Sequence, residues 1–165
     1  MKSVALSTFL FFSLLCSSVL ANPCQFKLMG TQVRIDLPNE FAPFTTSDPE
    51  RMRMFMDESI PANVAVMNLG EAITAGDVQS PDTLQGIKAR MSRGRFVEHT
   101  LVTLADNRKA LRVVLEVEGK NAVMRQVRYL VAGDPGWSVI FTTTSTEYQQ
   151  MRPKFEAWVK SFQVL

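Results

Sequence analysis

The side chains best suited to chemistry are sparse in this sequence. Its single histidine, His99, has Val97 and Leu101 two residues away on either side. Histidine serves as a general base or a metal ligand, but a metal site needs further ligands at regular spacing, and none accompanies His99. We therefore interpret His99 as a structural residue.

The common hydrolase motifs are absent as well. No serine stands in a Gly-x-Ser-x-Gly context. Glu116 and Glu118 would share one strand face, as paired glycosidase carboxylates could, but their alternation with apolar residues is typical of a solvated face. We predict no catalytic, metal-binding or cofactor-binding residue. An unrecognised enzyme, with His99 beside a nucleophile or carboxylate in an open cleft, is the alternative.

Basic residues gather at the predicted end of a helix, at Arg90, Arg93 and Arg95. The net charge of +2 is too small to indicate a nucleic-acid-binding protein. The arginines suit an acidic partner or anionic lipid headgroups. They also suit a plain role in complementing the helix dipole and keeping the surface charged. We retain these three arginines as candidate partner-binding residues.

The first 21 residues have the layout of a secretory signal. Lys2 precedes an apolar run over residues 4–15, and small residues lead to Ala21. We predict cleavage near Ala21 and a soluble periplasmic or secreted domain over residues 22–165, not integral to a membrane. An uncleaved anchor is the alternative, because residues 4–21 could just span a bilayer.

Cleavage would leave Cys24 as the one cysteine of the mature chain. No intramolecular disulfide could then form. A lone cysteine in an oxidising compartment is a free thiol or an intermolecular bridge, and we keep both alternatives.

The composition, with 46% hydrophobic and 21% charged residues, is typical of one globular domain. Hydrophobic periodicity predicts both strands and helices, and therefore an α+β fold. Strands are predicted over residues 31–37, 62–69, 95–105, 109–119, 122–132 and 137–144. Helices are predicted over residues 80–94, with Ser80 as N-cap, and 146–162. Residues 133–136, Gly-Asp-Pro-Gly, predict a type II turn with positive φ at Gly136. Short connections between the later strands indicate antiparallel neighbours.

Met52, Met54 and Met56 alternate along a short extended segment. Methionine repacks easily, so this stripe suits either a binding surface or the filling of a core. We expect core packing, the commoner role. Trp137 and Trp158 are expected to form the seam between the closing helix and the sheet.

The order of these elements resembles the PsbP-like superfamily, especially the bacterial envelope proteins around DcrB. The resemblance spans residues 30–165 and includes "IDLPNEF", "NVAVMNL" and the closing pattern Phe155, Val159, Ser161 and Phe162. It implies an α/β/α sandwich, with helices on the faces of an antiparallel sheet of about six or seven strands. It also implies a protein that binds another protein, the mode of action of most members.

Two functions follow from these expectations. The first is an exported accessory or adaptor protein that binds another envelope protein without catalysis. The second is a periplasmic carrier of a small ligand or lipid, which would need a pocket between sheet and helices.

Overall fold

The computed structural model describes residues 22–90 and 94–165. The predicted signal segment and Arg93 lie outside the described residues. The strands are β1 (Asn22–Leu28), β2 (Thr31–Leu37), β3 (Ala42–Phe44), β4 (Met52–Met56), β5 (Ala62–Asn68), β6 (Gly94–Thr103), β7 (Lys109–Glu118), β8 (Val123–Val131), β9 (Trp137–Thr144) and β10 (Gln163–Val164). The helices are α1 (Ala75–Gln79), α2 (Pro81–Ala89) and α3 (Tyr148–Lys160).

A seven-stranded antiparallel sheet in the order β3-β4-β5-β9-β8-β7-β6 is the centre of the fold. Its register aligns Val114, Val127, Phe141 and Val64 across four neighbouring strands. Side chains opposite one another in a sheet share a face, so this row forms the centre of one apolar face. The predicted α+β class and the predicted antiparallel sheet of about six or seven strands are confirmed.

The face that carries this row is the core face. Helix α3 packs on it, and Phe155 stacks on Phe141 with ring centroids 4.9 Å apart. Trp158 lies against the same phenylalanine, and Trp137 contacts Phe162 at 5.8 Å, so the predicted tryptophan seam is confirmed. The small sheet β1-β2-β10 covers the rest of this face, with Phe26 on Phe55.

The opposite face of the sheet is covered over part of its width. Helices α1 and α2 bring Val78, Leu84 and Ile87 into one apolar cluster with Leu111 and other residues of the β7 side of the sheet. Within the described residues, α1 and α2 form no apolar cluster with β4, β5 or β9. Half of the second face therefore lacks a helical cover within the described residues.

The ends of the short helices follow ordinary capping chemistry. Thr74 and Asp77 form a capping box at the start of α1, a helix that the sequence did not predict. Ser80 Oγ accepts a hydrogen bond from Asp82 N, and Pro81 takes the first position of α2, as predicted. Pro153 lies inside α3, which continues through it.

The predicted type II turn at residues 133–136 is wrong. The glycines with positive φ are Gly30 and Gly70, so Gly136 lies outside the left-handed region. The N–H of Gly136 donates to Glu71 O, and its carbonyl accepts from Leu69 N. These two hydrogen bonds hold Gly136 alongside the chain that leaves β5, which local turn chemistry could not reveal.

Candidate functional site

An apolar patch lies on the uncovered half of the sheet. It is formed by neighbouring strands and consists of Met52, Met54, Met56, Met67 and Ile140, which we call the methionine face. Met56 is 39% exposed, and the other four side chains are half-buried. The expectation that the methionine stripe fills the core is wrong, because alternation puts Phe55 into the core and its methionine neighbours on the opposite face.

The charge beside the methionine face is positive. Arg128 lies opposite Ile140 in the register of β8 and β9, so the two share a face. Its Nε donates to Gln126 Oε1 at 2.6 Å, and no described carboxylate forms an ion pair with it. The patch thus combines flexible apolar side chains with one arginine that forms no ion pair with a described carboxylate.

The predicted arginine cluster is only partly described. Arg90 is exposed at the C-cap of α2, and Arg93 lies outside the described residues. Arg95 is exposed at the start of β6, where its Nη2 lies 3.2 Å from Glu116 Oε1. Arg125 binds the other oxygen of the same carboxylate at 2.8 Å. A role for these arginines in partner binding stays a prediction.

His99 lies in a groove between α1–α2 and the edge of the sheet. This groove has a volume of about 460 Å³, and its lining includes Ser80, His99 and Leu111 but no carboxylate. His99 is exposed, with its ring centroid 5.6 Å from that of Phe96. The only serine in the lining, Ser80, already uses its hydroxyl oxygen to cap α2.

Cys24 is half-buried on β1 and packs against the core. Burial raises the pKa of its thiol, and the nearby Arg53 offsets part of this effect. A raised pKa disfavours the thiolate that starts disulfide exchange at neutral pH. An intermolecular bridge through Cys24 stays a prediction.

The most unusual side chain of the core face is a buried arginine. Arg112 is 4% exposed, on the face of β7 that packs towards α3. Its Nη1 donates to Glu98 Oε1 and its Nη2 to Tyr148 OH, both at 2.8 Å. A bulge in β6 between Phe96 and Glu98 adjusts the register there, so that Glu98 reaches the guanidinium. Arg112 thereby joins β6, β7 and α3.

Two polar atoms beside this network lack a partner. Arg112 Nε and Tyr129 OH are buried, and neither has a hydrogen-bond partner among the described residues. Arg112 and Tyr129 lie opposite each other in the register of β7 and β8, and Thr100 lies opposite Arg112 on β6. All three line a pocket of about 210 Å³ between the sheet and α3, which we call the Arg112 pocket.

Sequence reasoning missed both buried residues. The alternation within residues 109–119 predicts a strand with one buried face, formed by Leu111, Val113, Leu115 and Val117. In the structure Ala110, Arg112 and Val114 are buried on the other face as well. The apolar run 113–115 interrupts the alternation, but it is shorter than the runs of about four to eight residues that indicate a strand buried on both sides.

The ionisation of Tyr129 gives a prediction at alkaline pH. Burial raises its pKa to about 12, and Arg112 offsets part of this effect. The contribution of Tyr129 to the free energy of unfolding is therefore fully present below the unfolded tyrosine pKa of about 10. It is lost as the pH rises through the folded value. We expect a loss on the order of 2 kcal/mol. Urea unfolding across this pH range should show it.

Tyr129→Phe provides the control for this alkaline effect. The variant lacks the ionising hydroxyl but keeps the ring, so its unfolding free energy should fall less steeply above about pH 10. Equal alkaline slopes for Tyr129→Phe and the unsubstituted protein would contradict the assignment to Tyr129.

No helix within residues 22–90 and 94–165 is long and apolar enough to cross a bilayer. In the same part of the chain, no three histidine, cysteine, aspartate or glutamate side chains gather where they could hold a metal ion.

Comparison with known proteins shows the fold and leaves the family open. No protein-family model matches the sequence. No curated protein matches it either. Solved structures do match, among them the cyanobacterial PsbP (CyanoP) of Synechocystis sp. PCC 6803, with 13% identity and a TM-score of 0.59. That match covers 90% of this chain and 96% of CyanoP.

Two further solved structures are similar. A protein from Bacteroides thetaiotaomicron has a TM-score of 0.59 at 12% identity over 86% of this chain, which spans 48% of that protein's length. LpqN, involved in cell envelope biogenesis of Mycobacterium tuberculosis, has a TM-score of 0.48 at 8% identity, covering 87% of this chain and 84% of LpqN. The match to CyanoP, which spans nearly both chains, shows the PsbP-like fold that the order of elements predicted.

Proposed function

We propose that this chain is an exported envelope protein that acts without catalysis, by binding another protein on the methionine face. The observation that carries the proposal is the half-covered sheet, whose apolar side chains lie opposite the core. Methionine side chains are flexible and polarizable, and they recur on protein surfaces that bind varied partners. Binding of another protein is also what the PsbP-like resemblance implies.

The occupant that fits this face is an amphipathic helix of the partner. The open strands β4, β5 and β9 have a width of about 10–14 Å, since neighbouring strands lie about 4.8 Å apart. One helix with its side chains has a diameter of about 10–12 Å. A helix there would continue the layer that α1 and α2 form on the same side of the sheet.

Charge defines the partner's helix further. Arg128 adjoins the methionine face, and the sheet residues around it are uncharged: Asn63, Gln126, Ser138 and Thr142. A partner helix with apolar residues at helical spacing and an acidic residue at one edge would bury its apolar stripe and pair with Arg128.

The test is crosslinked capture from the envelope fraction with three forms of the tagged protein. We expect Met54→Asp to reduce recovery of the partner at least tenfold, because a carboxylate would be buried in the interface. Lys154→Glu, an exposed change on α3 away from this face, is the matched control and should leave recovery unchanged. Thermal unfolding of each variant confirms that it is folded.

The outcomes separate cleanly. A protein that is lost with Met54→Asp and retained with Lys154→Glu supports the docking face. A protein recovered equally with both variants contradicts the methionine face, and no protein recovered with the unsubstituted chain contradicts protein binding itself. Arg128→Glu then tests the predicted acidic residue, since reversal should weaken capture.

A further inference from the structure

We propose that the Arg112 pocket binds a small carboxylate with a short apolar body. The pocket lies on the core face between the sheet and α3, on the other side of the sheet from the methionine face. The inference therefore does not depend on the proposed docking of a partner.

The donors at the base of the pocket carry the proposal. Arg112 is 4% exposed and Tyr129 is 1% exposed, yet Arg112 Nε and Tyr129 OH have no hydrogen-bond partner among the described residues. Buried polar groups are as a rule hydrogen-bonded. Both side chains line the same pocket. An N–H and an O–H donor there match the two oxygens of one carboxylate, which accepts hydrogen bonds and donates none.

The role of Arg112 in the fold does not account for these atoms. Its Nη1 and Nη2 are occupied by Glu98 and Tyr148, and this pairing explains why a guanidinium can be buried there. The same pairing leaves Nε over. Arg112 also acts on the hydroxyl of Tyr129 and offsets part of the effect of its burial, but the two side chains form no hydrogen bond of ordinary geometry.

The charges of the pocket suit a monoanion. Its lining contains three cations, Arg112, Arg152 and Lys160, and one carboxylate, Glu156. Glu98 neutralises one of these cations from outside the lining, at 2.8 Å from Arg112. One positive charge therefore remains uncompensated, which one carboxylate would balance and a doubly charged sulfate would exceed.

The shape of the pocket defines the rest of the ligand. Its volume of about 210 Å³ lies below the range of roughly 300–1,000 Å³ typical of drug-sized ligands. Val102, Leu104 and Val159 form an apolar wall beside the donors. A short aliphatic or single-ring monocarboxylate fits, with its charged end at Arg112 and its body against this wall.

Arg152 and Lys160 are the exposed residues of α3 that line the mouth. Arg152 Nε pairs with Glu156 Oε1 at 3.1 Å, one helical turn along. Exposed pairs of this kind contribute little stability, so Arg152 is free to turn from Glu156 towards an entering anion. This arrangement gives the ligand access to the buried donors.

The experiment titrates the ¹⁵N-labelled protein at neutral pH with butyrate and benzoate, and with phosphate and sulfate in parallel. We expect the carboxylates to shift the amide signals of Thr100, Arg112 and Tyr129 with a Kd below about 10 mM. Phosphate and sulfate should be at least tenfold weaker. Carboxylates that shift none of these signals would overturn the proposal, and so would phosphate or sulfate binding equally well.

Tyr129→Phe separates a ligand role from a structural one. Removing an unpartnered hydroxyl should leave the melting temperature unchanged or raised, while carboxylate affinity falls about tenfold.

Tyr148→Phe, which removes a hydroxyl that Arg112 uses outside the pocket lining, should lower the melting temperature instead. Arg152→Gln, an exposed change, should weaken binding without unfolding the protein. Unchanged carboxylate affinity in both Tyr129→Phe and Arg152→Gln would refute the site.

Discussion

Replacing Phe155 with alanine is expected to lower the free energy of unfolding by about 3–5 kcal/mol. Phe155 is 1% exposed, and it stacks on Phe141 and contacts Trp158 at 5.7 Å between ring centroids. The substitution would remove the ring that joins α3 to the sheet and leave a cavity that the stacked aromatic residues cannot fill. Urea unfolding followed by tryptophan fluorescence measures the loss.

Phe44→Ala is the matched control for Phe155→Ala. Phe44 is 53% exposed on the edge strand β3, so the same chemical change should cost less than about 1 kcal/mol there. If the two variants unfold at the same urea concentration, α3 does not pack on the sheet as described.

The main elements could be predicted because local pattern and burial agree in them. The strands β7, β8 and β9 alternate with short turns, and α3 repeats its apolar residues at helical spacing. The elements that were missed, β3, α1 and β10, have two to five residues each. Elements this short carry too few periods of a pattern to be recognised, and tertiary contacts stabilise them.

The candidate sites were harder to predict because they depend on which face of a strand is covered. Alternation correctly separates Phe55 from its methionine neighbours, but it does not say which set faces the core. Arg112 presents the same difficulty. If only one face of β7 were buried, its side chain would lie in water, whereas in the structure it is buried. Both sites depend on layers formed by α1, α2 and α3 from distant parts of the chain.

Glu98 is expected to be more important for stability than its buried partner Arg112. Glu98 is 44% exposed in its side chain, whereas that of Arg112 is 5% exposed. Glu98→Ala would leave a buried guanidinium with Tyr148 as its remaining partner, and we expect a loss of about 2–4 kcal/mol. Arg112→Met would remove the buried charge and leave Glu98 to water, so its cost should be below about 1 kcal/mol.

Acid should have the same effect as Glu98→Ala. The hydrogen bond from Arg112 lowers the pKa of Glu98, and the charge of Arg112 adds to this effect. The stabilisation is therefore present above the ordinary glutamate pKa of about 4.3 and is lost as the pH falls through the lowered folded value. Arg112→Met lacks the pair, so its unfolding free energy should fall less steeply over the same pH range.

Urea unfolding of both variants at neutral and acidic pH decides whether the network acts as described. A larger loss for Arg112→Met than for Glu98→Ala would mean that the guanidinium contributes net stability beyond its desolvation cost. Arg112 would then be explained by the fold alone. The expected larger loss for Glu98→Ala instead means that Arg112 adds little net stability to the fold. Its role would then be the proposed binding of a carboxylate by the two unpartnered donors beside α3.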